Sequence, residues 1–197
     1  MSNDGVNAGR RRFLVAATSV VGAAGTAGAA IPFLGSWQPS ARAKAAGAPV
    51  RINISKVEAG QQVVAEWRGQ PVFVVRRTQE VMDGLEKLEP VLADPESKES
   101  EQPEYVDPKN RAIRSELLIV LGICTHLGCA PTFRPEVAPA DLGPDWLGGY
   151  FCACHGSRYD LAGRVYKAQP APLNLPVPPH SYETDEVVII GVDEETA

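Results

Sequence analysis

Residues suited to metal and redox chemistry are scarce in this chain: 197 residues include four cysteines, three histidines and two methionines. Four cysteines are too few for a disulfide-scaffold protein. Basic residues are also in deficit, 19 against 24 acids, for a net charge of -5, which argues against a nucleic-acid partner. The deficit is uneven. Residues 1–49 hold Arg10, Arg11, Arg12, Arg42 and Lys44 against Asp4 alone, whereas the remainder has 14 basic and 23 acidic residues. No internal repeat is present. With 44% apolar and 22% charged residues, a packed core is attainable and global disorder is excluded. The length suits one soluble domain plus a short extra segment.

Charge is missing altogether from Phe13 to Trp37. As a helix, these residues would run about 37 Å, enough for a hydrocarbon core of about 30 Å. The stretch is only weakly apolar, because alanines, glycines, Thr18, Ser19, Thr26, Pro32 and Ser36 dilute Leu14, Val15, Val20, Val21, Ile31, Phe33 and Leu34. The preceding run Arg10-Arg11-Arg12-Phe13-Leu14 resembles the twin-arginine export signal of bacteria. Basic residues ahead of the span predict a cytoplasmic N-terminus. The alternatives are a buried helix of a globular protein and a signal cleaved near Ala41-Arg42-Ala43. Retention is preferred, with Trp37 as an interfacial anchor. The expected organisation is a cytoplasmic leader (1–12), a transmembrane signal-anchor helix (13–37), a flexible hinge (38–49) and a head (50–197). The hinge reading rests on alanine-rich composition broken by Pro39, Gly47 and Pro49.

In the head, Val50–Ile54 alternates apolar and polar residues, as a half-buried strand does. Gln62–Trp67 and Val72–Val75 predict two more strands, turning through Arg68-Gly69-Gln70-Pro71. Thr78 is a candidate cap for a helix over Gln79–Lys87. Glu89–Asn110, with seven acids and four prolines, predicts a solvated loop. The apolar run Leu117–Leu121 predicts a central strand, and Gly149–Phe151, Arg164–Tyr166 and Glu186–Gly191 predict further short ones. The fold class expected is mainly antiparallel β.

All four cysteines and two of the three histidines fall in two boxes, Cys124-Thr125-His126-Leu127-Gly128-Cys129 and Cys152-Ala153-Cys154-His155-Gly156-Ser157. Each follows an apolar strand, so each is a loop at a sheet end. Thiolate and imidazole donors select transition metals. Zinc would take Cys124, His126, Cys152 and His155 tetrahedrally, leaving Cys129 and Cys154 without a task. A two-iron cluster could use the same four groups, two sulfurs on one iron and two nitrogens on the other. Plain disulfides would leave the histidines idle.

The boxes resemble the C-T-H-L-G-C and C-x-C-H-G-S motifs of the Rieske iron–sulfur proteins, specifically the subunit of bacterial ubiquinol–cytochrome c reductase, and the resemblance extends over nearly the whole chain. It implies a Rieske-type antiparallel β head with a small cluster-binding part at about 122–175, and one [2Fe-2S] cluster. Cys124 and Cys152 would bind the inner iron and His126 and His155 the outer one. Cys129 and Cys154 would form a disulfide closing a loop of 26 residues, a constraint of roughly 3–4 kcal/mol in the chain-entropy model. Ser157 and Tyr159 would donate hydrogen bonds to a bridging sulfide and a ligand cysteine, raising the potential. Ala168–Leu175 resembles the family's proline loop, with Gln169 where the family usually has glycine. Leu127 would shield the cluster and meet the cytochrome b surface. His180 has no partner motif and is expected to be an exposed loop residue.

The function implied is electron and proton acceptance from ubiquinol, with His155 and His126 as the reacting groups, and delivery of the electron to a c-type cytochrome subunit. Partners implied are the cytochrome b subunit, that cytochrome, ubiquinol, membrane lipid and a dimeric complex. The expected location is the bacterial inner membrane, with a single pass and the C-terminal head in the periplasm. The twin-arginine route passes folded domains, as a cluster assembled in the cytoplasm requires. The competing readings are a Rieske small subunit of a periplasmic molybdenum oxidase, such as arsenite oxidase, and a zinc-stabilised binding module without redox activity.

Overall fold

The computed structural model describes Gly5 and residues 7–193, in two units, Met1–Ala45 and Ala46–Ala197. Of the expected leader, residues 1–4 and 6 lie outside the described residues.

In the first unit, α1 (Ala8–Ser36) begins ahead of the arginine run, because Asn7 caps it by accepting the Arg10 N–H at 3.1 Å. The hydroxyls of Thr18 and Thr26 donate to the Leu14 and Gly22 carbonyls at 2.7 and 2.9 Å. The helix therefore satisfies these hydroxyls internally, as a hydrocarbon surrounding demands. Phe13, Val20, Val21, Ile31, Phe33 and Leu34 are all exposed, and an 18-residue window has mean hydropathy 1.7. This helix is long and apolar enough to cross a membrane. The connector beyond it contains a short helix, α2 (Ala41–Ala46), capped by Ser40.

The second unit has three antiparallel sheets of three strands. β1 (Val50–Asn53) pairs with β9 (Val187–Ile190), which pairs with β8 (His180–Thr184). β2 (Gln62–Trp67), β3 (Gln70–Arg76) and β4 (Leu117–Leu121) form the second sheet, and β5 (Thr132–Arg134), β6 (Gly149–Cys152) and β7 (Ser157–Asp160) the third. Between β3 and β4, α3 (Gln79–Leu88) starts at Thr78, whose hydroxyl accepts the Val81 N–H at 3.2 Å. The second sheet is the middle layer. Val72, Val74, Leu117 and Ile119 pack with Val188 and Ile190 of the first sheet, whereas Phe73, Val75, Leu118 and Val120 pack with Tyr150, Cys152 and Tyr159 of the third. A strand buried on both faces loses its polar alternation, which accounts for the apolar runs in β3 and β4.

Four expectations change. Arg164–Tyr166 is not a strand: Val165 and Tyr166 make isolated bridges to Tyr159 and Leu92. β4 is not central within its sheet; it is an edge strand whose Leu121 N–H is satisfied by the Pro176 carbonyl at 2.8 Å. Glu89–Asn110 is not simply a solvated loop: Leu92, Ser97 and Val106 are buried, and Leu92 bridges to Tyr166. Asp94 folds this segment by accepting the N–H groups of Lys98 and Glu99 and the Ser100 hydroxyl, so some of its acidity builds a turn. His180 is not exposed. It is 1% accessible, edge-on to Tyr105 and Tyr182, with Nδ1 2.9 Å from the Pro178 carbonyl.

Candidate metal centre

Both boxes close in the same way. The Gly128 N–H reaches the Cys124 carbonyl at 2.9 Å, and the Gly156 N–H reaches the Cys152 carbonyl at 2.8 Å. Each glycine stands four residues after a cysteine with φ near +80° (82° and 81°), a conformation that costs glycine little. Two loops of one shape thus leave the ends of β4 and β6. Cys129 and Cys154 join them by a disulfide.

Cys124 and Cys152 are free and buried. The rings of His126 and His155 meet edge to face, centroids 4.6 Å apart. His126 Nδ1 is buried without a hydrogen-bond partner among the described residues, which is unfavourable for a polar nitrogen unless something else ligates it. Sγ atoms of Cys129, Cys152 and Cys154 also lie within 4.8 Å of one another, but two of them are bonded together and present no thiolate. The donor set that suits a metal is therefore two thiols and two imidazoles, and it fits the two-sulfur, two-nitrogen ligation of a Rieske centre.

Burial raises the Cys124 thiol pKa, but hydrogen bonds from the Tyr159 hydroxyl, the His126 backbone, Cys152 and Ser157 outweigh it and draw the pKa down. Burial pushes Cys152 up, reinforced by Cys124 beside it. Tyr159 is pushed well up, first by burial and then by Cys124, so it stays a protonated donor. Its hydroxyl lies 3.2 Å from Cys124 Sγ. The Ser157 hydroxyl, fully buried, also accepts the Ala171 N–H at 3.1 Å.

Ala168–Leu175 closes the third side. The Thr125 hydroxyl donates to the Leu173 carbonyl at 2.6 Å and lies 3.2 Å from the Tyr159 hydroxyl, a role the sequence reading missed. The left-handed backbone residue is Ala168, φ 54°, rather than Gln169, so a side chain is accommodated where the family usually has glycine. Leu127 is 70% exposed, which excludes a core role.

Sequence reasoning also missed the support behind the loops. Asp160 and Arg164 are buried and bonded at 2.8 Å, with Arg164 Nη2 donating to the Leu85 carbonyl. Asn174 Oδ1 accepts the Val165 N–H at 2.8 Å, while its Nδ2 donates to the Asp94 carbonyl and the Ser97 hydroxyl. The Asp160–Arg164 spacing is local, but no periodic pattern marked either residue as internal.

Comparison with known proteins agrees with this geometry. A family model described as "Ubiquitinol-cytochrome C reductase Fe-S subunit TAT signal" matches residues 1–40, and one described as "Rieske [2Fe-2S] domain" matches residues 49–179. The ubiquinol-cytochrome c reductase iron-sulfur subunit of Allochromatium vinosum is 54% identical over 197 residues, covering 100% of this chain and 95% of that one. Those of Blastochloris viridis and Rhodospirillum rubrum are 44% and 40% identical over 191 residues, each covering 96% of this chain and 97% and 96% of theirs. A TAT signal, a helix able to cross a membrane and a head presenting two thiols with two imidazoles coincide in one chain, which belongs to the family of Rieske iron–sulfur subunits of ubiquinol–cytochrome c reductase.

Proposed function

We propose that this chain is the membrane-anchored redox subunit of a cytochrome bc complex, taking an electron and a proton from ubiquinol and passing the electron to a c-type cytochrome. The observation that supports the reading is that His126 and His155 meet edge to face, with His126 Nδ1 buried and unpartnered among the described residues, on two disulfide-joined loops that also carry the buried free thiols of Cys124 and Cys152. Cys124 and Cys152 would hold one iron and His126 and His155 the other. A [2Fe-2S] group held this way supplies one-electron chemistry at a potential raised by neutral imidazole ligands.

The remaining contributions come from the chain. His155 is exposed, so its outer ring nitrogen can meet a quinol hydroxyl and hold the transferred proton. Leu127, next to His126 in the chain and 70% exposed, offers an apolar contact to cytochrome b. Tyr159 and Ser157 stabilise negative charge on sulfur. The head lies in the periplasm, with 38–49 as its hinge, and α1 is retained in the inner membrane of a dimeric complex. The relatives' names favour this reading over a molybdenum-oxidase subunit. A quinol-site inhibitor added to reduced membranes is expected to change the paramagnetic resonance line shape of the centre. A line shape indifferent to every such inhibitor contradicts quinol docking.

A further inference from the structure

Cys129 and Cys154 stand outside the donor set that suits the iron–sulfur group, yet their Sγ atoms and that of Cys152 all lie within 4.8 Å of one another. As a disulfide, Cys129 and Cys154 offer no thiolate. Every cysteine is made as a thiol, however, and until the S–S bond closes the chain carries three thiols at this point. Three sulfurs in a plane around one ion, each about 2.3 Å from it, stand about 4 Å apart. With the S–S bond open, rotation about the side-chain bonds of Cys129 and Cys154 brings them to that spacing, and Cys152 is already in range.

Backbone and side-chain bonds hold the loops besides the disulfide. The Cys129 carbonyl accepts the Cys124 N–H at 2.8 Å, Cys152 pairs with Ser157 across β6 and β7, and the Thr125 hydroxyl donates to the Leu173 carbonyl. Access is graded. Cys154 is exposed, Cys129 half-buried and Cys152 buried, so an ion enters past Cys154 and is sheltered from water at Cys152.

The donors set the ligand. Three thiolates select a soft ion. Zinc takes four ligands in a closed site, whereas monovalent copper is complete with three thiolates. We propose that the dithiol form of this chain binds one Cu(I) through Cys129, Cys152 and Cys154. Three S–H bonds break and three Cu–S bonds form; the protons pass to the buffer and copper stays monovalent. Cys152 is common to this site and to the iron–sulfur donor set, so the two occupants exclude each other. Once Cys129 and Cys154 are joined, two of the three donors are gone and the site is closed to copper.

The test uses the full chain in detergent, free of iron, with the disulfide opened by a trialkylphosphine. The phosphine takes the oxygen of water to become its oxide and leaves two thiols. After its anaerobic removal, Cu(I) is supplied as the acetonitrile complex against bicinchoninate as a coloured competitor. One Cu(I) per chain is expected, with X-ray absorption showing three sulfur neighbours and no nitrogen. Cys129→Ser and Cys154→Ser should each weaken binding about tenfold or more, since loss of even an outer partner costs a metal site roughly 10–100-fold. The unreduced chain should bind more weakly by at least the same factor. A copper shell containing nitrogen would assign the ion to Cys124, His126, Cys152 and His155 and overturn the proposal. Equal affinity before and after reduction, no saturable uptake by the reduced chain, or undiminished binding in the serine variants would each do the same. The absorption measurement is made on the parent chain, so it decides the matter whether or not the variants fold.

Discussion

Tyr159 touches three parts of the site: it lies 3.2 Å from Cys124 Sγ, the Thr125 hydroxyl and the Thr125 N–H, which it accepts. Its donor strength matters most when sulfur carries more negative charge, that is, after reduction. One hydrogen bond is worth about 1 kcal/mol, and for a one-electron couple that is about 40 mV. Tyr159→Phe is therefore expected to lower the reduction potential by about 40 mV in a redox titration while keeping the resonance spectrum. A potential unchanged within error would remove Tyr159 from the tuning role. Ser157 acts in parallel, but its hydroxyl also holds Ala171 of the proline loop, so Ser157→Ala mixes tuning with loosening and is the less direct probe.

Three segments meet behind the metal loops at Asn174. It ties the end of the proline loop to Val165 and to Asp94 and Ser97 of the segment after α3. Asn174→Ala removes these bonds and strands the buried Val165 N–H, a loss of about 2–4 kcal/mol. Urea unfolding of the head should show it as a lower midpoint. A midpoint like the parent's would mean that the proline loop is held elsewhere. This part of the fold was the least legible in the sequence. The metal loops are local, each complete within six residues, so their chemistry and closing glycine are readable side by side. Asn174, Asp160 and Arg164 are polar residues made internal by partners up to 80 positions away, and composition alone assigns them to the surface. The same applies to His180, buried by Tyr105 from 75 positions upstream. The runs in β3 and β4 predicted strands correctly, but burial on both faces made an edge strand look central.

At the scale of the molecule, an apolar helix and a redox head occur in one chain, joined by residues 38–49. If the head must move between a quinol site and a cytochrome, a stiff connector should slow the cycle without harming either end. The double substitution G47P/A48P extends the existing Pro49 into a rigid polyproline run. Quinol-dependent cytochrome reduction is expected to fall several-fold with the resonance signal at full intensity; parent-like turnover would show that no swing is needed. The account as a whole rests on two imidazoles and two thiolates around a pair of irons. The most direct test is nitrogen hyperfine spectroscopy of the dithionite-reduced chain, together with iron and sulfide analysis. The expected result is two irons, two labile sulfides and coupling to two histidine nitrogens, with one coupling lost in His126→Cys. A spectrum without nitrogen coupling, or a single zinc without sulfide, would contradict it.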